Sequence, residues 1–360
     1  MSPRAAAVAL ALGLGLAGLT ACADEAASPS TSSPATSSTG GPSAATSSTE
    51  PSTSAPPTTP KPEKPFGGRR VLAISVDGLN PTALSPDLTP HIWWLFERGL
   101  GTVNARSEFE KTVTLPNHVG MVTGRPVLAE NGGHGVMWNS DRAGATVPSA
   151  PESIFTWVSQ HGGTGITFSG KSKFTIFQRT WGAEVAPVVI EPDLDRLADA
   201  AVNDLTENAR TFTFVHLAEP DHTGHAKGWL TPAYRRALAH ADAVVGRLLD
   251  AVDADRRLRR SVVVVLTADH GGSGRRHGGA TEPANYTIPF VIFGRGIAHE
   301  DLYAASPELS DPGRSRPDYS GVQPVRNCAL ANVSADILDL DPVPGAGCNA
   351  DFAVASEGLN

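Results

Sequence analysis

The chain lacks an excess of basic charge: 29 Lys and Arg stand against 37 Asp and Glu in 360 residues, a net charge of −8. Binding along a nucleic-acid duplex needs the opposite balance, so any phosphate handled here is handled locally, by a metal ion or a few cations. A membrane-spanning run is lacking near the N-terminus too. The apolar stretch from Ala5 to Leu19 is about 15 residues, short of the roughly 20 that cross a bilayer. Between Ala23 and Phe66 large apolar side chains are almost missing, and Ser, Thr, Pro, Ala and Gly take their place. Such a segment cannot bury enough surface to fold. Cysteine is scarce, with three residues at 22, 328 and 348, and no internal repeat is visible.

Arg4 before the apolar stretch and small residues after it read as an export signal. Its ending, Leu19-Thr20-Ala21-Cys22, resembles a bacterial lipoprotein signal. That resemblance implies cleavage before Cys22, a lipid on its sulfur, and a tether at the outer face of a bacterial cytoplasmic membrane; ordinary secretion is the alternative. The expected organisation is a leader at 1–22, a disordered stalk at 23–66 and one folded domain at 67–360. If Cys22 carries lipid, Cys328 and Cys348 remain as a pair in an oxidising compartment, and a disulfide closing a short loop is expected. Two buried free thiols are the other possibility.

Within the domain, Val71-Leu72-Ala73-Ile74-Ser75-Val76 is a continuous β-rich run ending at Asp77-Gly78, a buried parallel strand with an acid at its C-terminal tip. Residues 211–217 and 262–267 repeat the pattern, leading to Glu219-Pro220-Asp221-His222-Thr223-Gly224-His225 and to Ala268-Asp269-His270-Gly271-Gly272. Further strands are expected at 165–168 and 288–293. Helices are expected from Pro90, over 153–161, 194–208 and 332–340, and from Pro232 with the stripe Tyr234, Leu238, Ala241, Val245, Leu248 and Val252. Residues 174–190 show no clear period. Strands alternating with helices predict an α/β domain, a mainly parallel sheet covered on both faces.

Asp77, Asp221, His225, Asp269, His270 and His277 then fall at or near strand tips, where ligands gather in such sheets. Mixed Asp and His donors suit zinc or a similar divalent ion, and six of them suit two sites. Thr114, two residues before Pro116, reads as the first turn of a helix, a setting for an anion. Taken singly, each of these is more often a cap or a turn residue than a ligand.

Val-Asp-Gly at 76–78, Thr-Leu-Pro-Asn-His at 114–118, Glu-Pro-Asp-x-x-Gly-His at 219–225 and Ala-Asp-His-Gly-Gly at 268–272 resemble, in order, the motifs of the alkaline phosphatase superfamily, and within it the type I phosphodiesterase/nucleotide pyrophosphatase family. The resemblance implies an alkaline phosphatase-like fold and two divalent ions, usually zinc. One would be held by Asp77, Thr114, Asp269 and His270, the other by Asp221, His225 and a further histidine. In the nucleotide pyrophosphatases that histidine comes late, and none follows His299 here, so His277 takes the role by its likeness to shorter members of the superfamily. Thr114 becomes the nucleophile, forming a phosphothreonine, and Asn139 matches the asparagine that binds a phosphoryl oxygen. Lys171 and Lys173 fall where phosphonoacetate hydrolases and some phosphomonoesterases place substrate-binding cations.

The first expectation is therefore an extracytoplasmic diesterase or pyrophosphatase acting on a small phosphoester. A phosphomonoesterase or phosphonoacetate-type hydrolase using the two lysines is the second. A lipid-anchored metal- or phosphate-binding protein without turnover is the third.

Overall fold

A computed structural model of the protein describes residues 65–354. The leader, Cys22 and the expected stalk as far as residue 64 lie outside the described residues. Pro65–Gly68 form a 3-10 turn, and Phe66 packs half-buried against the core.

Eight strands form one sheet: β1 (Arg70–Val76), β2 (Leu100–Arg106), β3 (Gly165–Ser169), β4 (Val188–Ile190), β5 (Phe212–Leu217), β6 (Val262–Thr267), β7 (Thr287–Gly294) and β8 (Glu300–Asp301). Their order across it is β4-β3-β5-β1-β6-β7-β2-β8. The five from β4 to β6 are parallel. All of β5 and β6, and all of β1 but Arg70, are buried, so both faces of the centre are covered. The expected α/β class holds, with one difference in direction. β7 is antiparallel to β6 and to β2. Residues 268–286 contain only a four-residue helix, too little to carry the chain back along the sheet, so β7 starts where β6 ends and must run the other way.

The helices are α1 (Pro90–Arg98), α2 (Thr114–Thr123), α3 (Ile154–Gln160), α4 (Ile176–Trp181), α5 (Leu194–Glu207), α6 (Glu219–Lys227), α7 (Pro232–Ala254), α8 (Arg256–Ser261), α9 (Pro283–Tyr286), α10 (Leu302–Ala305) and α11 (Ala329–Ile337). α7 is capped by Thr231, whose hydroxyl accepts from Tyr234 N, and buries Tyr234, Leu238, Ala241, Val245 and Leu248. α1, α5, α6 and α8 pack around it, while α2, α3 and α11 form a second group. The stretch at 174–190 resolves into part of a 3-10 turn, α4 and the short edge strand β4. α6 carries no apolar stripe, so no helix was expected from its sequence. Pro220 starts it, and Gly224 leaves room for Trp229, whose ring lies 2.6 Å from where a Cβ would stand. Cys328 and Cys348 form a disulfide, Cα to Cα 5.8 Å, tying the start of α11 to the C-terminal loop.

Candidate metal centre

Because β5, β1 and β6 are adjacent and parallel, their C-terminal ends meet on one edge of the sheet. Asp77 follows β1, Asp269 and His270 follow β6, and α6, after β5, presents Asp221 and His225 one turn apart. Gly78 lets the tips close up. Its φ is +72°, and a Cβ there would stand 3.1 Å from Asp221 Cα. Its N–H donates to Asp269 Oδ1 at 3.1 Å, and its carbonyl accepts from Trp229 Nε1 and Tyr234 Oη, both at 2.8 Å.

Two groups of acceptors result. Asp221, His225 and His277 form one, with Asp221 Oδ1 at 3.4 Å from His225 Nε2 and 3.6 Å from His277 Nε2. Asp77, Asp221 and His270 form the other, which Asp269 adjoins, with His270 Nε2 at 3.1 Å from Asp269 Oδ2 and 3.5 Å from Asp77 Oδ1. Hydrogen bonds to carbonyls assign the tautomers. His225 Nδ1 lies 3.1 Å from Arg275 O, His270 Nδ1 2.8 Å from Gly271 O, and His277 Nδ1 2.6 Å from Thr112 O. A carbonyl only accepts, so each Nδ1 carries the proton and, in the neutral ring, each Nε2 turns a lone pair inward.

Asp77 Oδ1, Asp221 Oδ1, Asp269 Oδ2 and His270 Nε2 are buried without any hydrogen-bond partner. Four orphaned acceptors at one place would be costly in a core, and they are the atoms that divalent ions would satisfy. The donor set therefore fits the metal centre expected from the family motifs, and the carboxylate and imidazole chemistry suits zinc.

Charge is divided unevenly among the carboxylates. Burial alone would raise Asp77, but the Lys171 ammonium and the His216 hydrogen bond outweigh it and hold the acid well below its ordinary range. Burial and the neighbouring Asp77 charge push Asp269 well above its own. Burial also lowers His270 and His277, which keeps both rings in the neutral form that binds metal.

Thr114 is the first residue of α2, and its hydroxyl makes no hydrogen bond among the described residues. It opens into a cavity of about 500 Å³ shared with Asn139, Lys171, Lys173, Asp221, His225 and His277. Asn139 Oδ1 accepts from Leu115 N at 2.8 Å and from Lys173 Nζ at 3.0 Å, which orients its amide and leaves Nδ2 as a donor. Lys173 also donates to Asn139 O at 2.9 Å, and burial together with the Lys171 charge lowers its pKa. Lys171 turns elsewhere, with Nζ at 2.6 Å from Asp77 Oδ2 and 2.5 Å from Asp221 Oδ2. A larger cavity of about 820 Å³, walled by Trp94, Val252 and Phe293 at the opposite end of β6, touches none of these residues.

Three supporting residues were given no task by the sequence, although Asn117 lies within the motif at 114–118. His216 sits inside the apolar run of β5 and donates from Nε2 to Asp77 Oδ2 at 2.8 Å. Asn117 donates from Nδ2 to Lys111 O at 2.8 Å and Val113 O at 2.9 Å, shaping the loop that ends at Thr114. Asn327 donates to Asn117 Oδ1 at 2.9 Å and to Asp269 O at 3.1 Å, joining that loop to the tip of β6. The partners of His216 and Asn327 are distant in the chain, so spacing could not reveal them.

Comparison with known proteins agrees with this geometry. Phosphopentomutase from Pectobacterium carotovorum subsp. carotovorum is 25% identical over 210 residues, covering 58% of this chain and 48% of that one. The chain thus spans about half the length of the curated relatives it first matches. Among solved structures, an inactive variant of murine ectonucleotide pyrophosphatase/phosphodiesterase 5 in complex with AMP superposes with a TM-score of 0.57 at 14% identity, covering 77% of this chain and 96% of that one. A protein of the alkaline phosphatase superfamily from Vibrio parahaemolyticus gives 0.54 at 14% identity, covering 80% and 70%. The fold is thus alkaline phosphatase-like. The family model described as Type I phosphodiesterase / nucleotide pyrophosphatase matches residues 71–149 and 133–278, and the chain belongs to that family.

Proposed function

We propose that this protein is an exported, metal-dependent phosphoesterase of the phosphodiesterase/nucleotide pyrophosphatase type, acting on a small nucleotide-like phosphoester through a phosphothreonine on Thr114. The observation that carries it is the free hydroxyl of Thr114, at the first turn of a helix and in one cavity with Asp221, His225 and His277, Asp221 in turn grouping with Asp77 and His270. Asp77, Asp269 and His270 with Thr114 would hold one zinc ion, and Asp221, His225 and His277 a second. When bound, such ions lower the pKa of a hydroxyl and stabilise charge on a leaving oxygen.

The chain's own residues then have distinct tasks. Thr114 Oγ1 attacks phosphorus, the bond to the leaving oxygen breaks, and that oxygen leaves as an alcohol or a phosphate. Water next attacks phosphorus, releasing the phosphoryl product and regenerating the threonine hydroxyl. Asn139 Nδ2 donates to a non-bridging oxygen, an interaction that tightens as charge builds there. Lys173 holds Asn139 in place and adds positive charge to the same wall. A nucleotide-like substrate is supported by the AMP in the murine relative, where the inactive form replaces a threonine by alanine.

A monoesterase or phosphonoacetate-type reaction is the second reading, favoured by the position of Lys173 beside Asn139 in the cavity. Hydrolysis of one chromogenic diester and one monoester, with and without chelator, tests both. Diester turnover that chelation abolishes supports the first reading; turnover of neither ester overturns both. Export with a lipid on Cys22 is the localisation supported by the leader. Radiolabelled palmitate retained by the wild type and lost in Cys22→Ala is the expected result.

A further inference from the structure

Asp221 belongs to both acceptor groups and Asp77 to one of them, and a single side chain grips the two acids. Lys171 Nζ donates to Oδ2 of Asp77 at 2.6 Å and to Oδ2 of Asp221 at 2.5 Å. Asp77 Oδ2 takes a second donor, His216 Nε2, at 2.8 Å. An ionised carboxylate oxygen only accepts, so the neutral His216 ring carries its proton on Nε2 and donates it to Asp77. Nδ1 then faces the Ser169 hydroxyl at 2.9 Å, and Ser169 Oγ accepts from Lys171 N at 3.1 Å.

Each carboxylate is therefore split between two tasks. Oδ2 of each is spoken for by the ammonium, and Oδ1 of each accepts nothing and faces a histidine Nε2. An ion that took both oxygens of Asp77 or Asp221 would compete with Lys171, and with His216 at Asp77. It would strand an ammonium whose side chain is only 9% exposed, and an uncompensated buried charge is strongly destabilising. An ion that takes one oxygen from each acid leaves every one of these bonds intact.

We propose that Lys171, braced together with His216 from the tip of β3, is a metal-selecting residue: it holds Asp77 and Asp221 as one-oxygen ligands. This favours small ions of low coordination number such as zinc. It works against calcium, which takes six to eight oxygens and commonly both oxygens of a carboxylate. Lys171 thereby acts through the ligands, as a positioning residue, and the inference rests on the metal-centre reading above.

The test is equilibrium dialysis of the chelator-stripped full chain against zinc, calcium, or both, with bound ions counted by mass spectrometry and folding checked by near-ultraviolet circular dichroism. Wild type is expected to retain about two zinc ions in the presence of excess calcium. Lys171→Met, which keeps the stem and removes the charge, should still bind zinc, with its zinc-to-calcium preference reduced by about tenfold to a hundredfold. His216→Phe should weaken the preference at one site only, since it frees Asp77 alone, and it serves as the independent variant should Lys171→Met not fold. An unchanged zinc-to-calcium preference in a folded Lys171→Met or His216→Phe overturns the selection role while leaving the metal centre standing. A wild-type chain that binds no zinc overturns the metal centre and this inference with it.

Discussion

His225 and His277 meet Nε2 to Nε2 at 3.0 Å, each with its Nδ1 against a backbone carbonyl. Two neutral rings so arranged have two lone pairs and no proton between them, with Asp221 Oδ1 completing an electron-rich corner. Such a corner is stable when a cation sits in it. His277→Ala should therefore lower bound zinc from about two ions to about one and remove most turnover, because one of three protein donors is gone. Metal counting with activity checks this; two ions retained in a folded variant would remove His277 from the ligand set.

Thr114→Ala should leave zinc content close to wild type if the other donors hold the ion, and reduce hydrolysis by at least about a thousandfold, since no other hydroxyl replaces the nucleophile. Thr114→Ser should recover part of the rate. Trapping labelled phosphate on the protein at acid pH, in wild type and not in the alanine variant, identifies the covalent step. Wild-type rates in Thr114→Ala would exclude the mechanism.

A monoester arrives as a dianion and a diester as a monoanion, so a nearby lysine distinguishes them by charge and a neutral amide does not. Lys173→Ala should lower kcat/KM for a monoester by several-fold more than for a diester. Asn139→Ala should lower both by on the order of a hundredfold, as expected for one lost donor to developing charge. Equal losses on the two esters in Lys173→Ala would show that the lysine supports Asn139 and does not read substrate charge.

Tyr319 Oη lies 2.7 Å from Glu108 Oε2 and 2.5 Å from Glu110 Oε2, and one phenolic proton cannot serve both. The fully buried Glu108 is pushed by desolvation up to about 8. A carboxyl raised on folding binds more protons in the native state, so its contribution falls as pH climbs from the unfolded pKa to the folded one. Across the rise from about pH 4.5 to 8 Glu108 should cost on the order of 5 kcal/mol of stability. Glu108→Gln should match wild type near pH 4 and exceed it at pH 8 in denaturant unfolding of the zinc-free chain. Parallel pH profiles for the two proteins would refute this.

Breaking the Cys328–Cys348 bridge, which spans a sequence separation of 20, should cost about 3 kcal/mol by loop entropy. Cys348→Ala measured by urea unfolding checks the size; no change in midpoint would show the bridge absent in the purified protein.

Local signals determined much of this protein without any coordinates. Unbroken β-rich runs ending in Asp-Gly or Asp-His announce buried strands with acids at their tips, because a strand covered on both faces must be apolar throughout and its ligands must lie past its end. The Thr-x-Pro start of α2 and the stripe of α7 are equally local, set by capping and by a 3.6-residue period. Position in space was decided only by the fold. Asp221 and His225 ride a helix with no apolar face, β7 reverses because its connection is too short, and β2, with Gly101 and Asn104 in it, is a strand because β7 pairs with it. The supporting network is the clearest case. His216, Ser169 and Asn327 look in sequence like core or loop residues, Asn117 is one letter of a motif with no task attached, and Lys171 reads as a substrate cation, not as a brace on two acids. Their tasks come from hydrogen bonds to partners as far apart as Asn117 and Asn327, which no spacing along the chain encodes. Tertiary packing alone brings those groups within 3 Å, and burial alone makes leaving any of them unpaired too costly to tolerate.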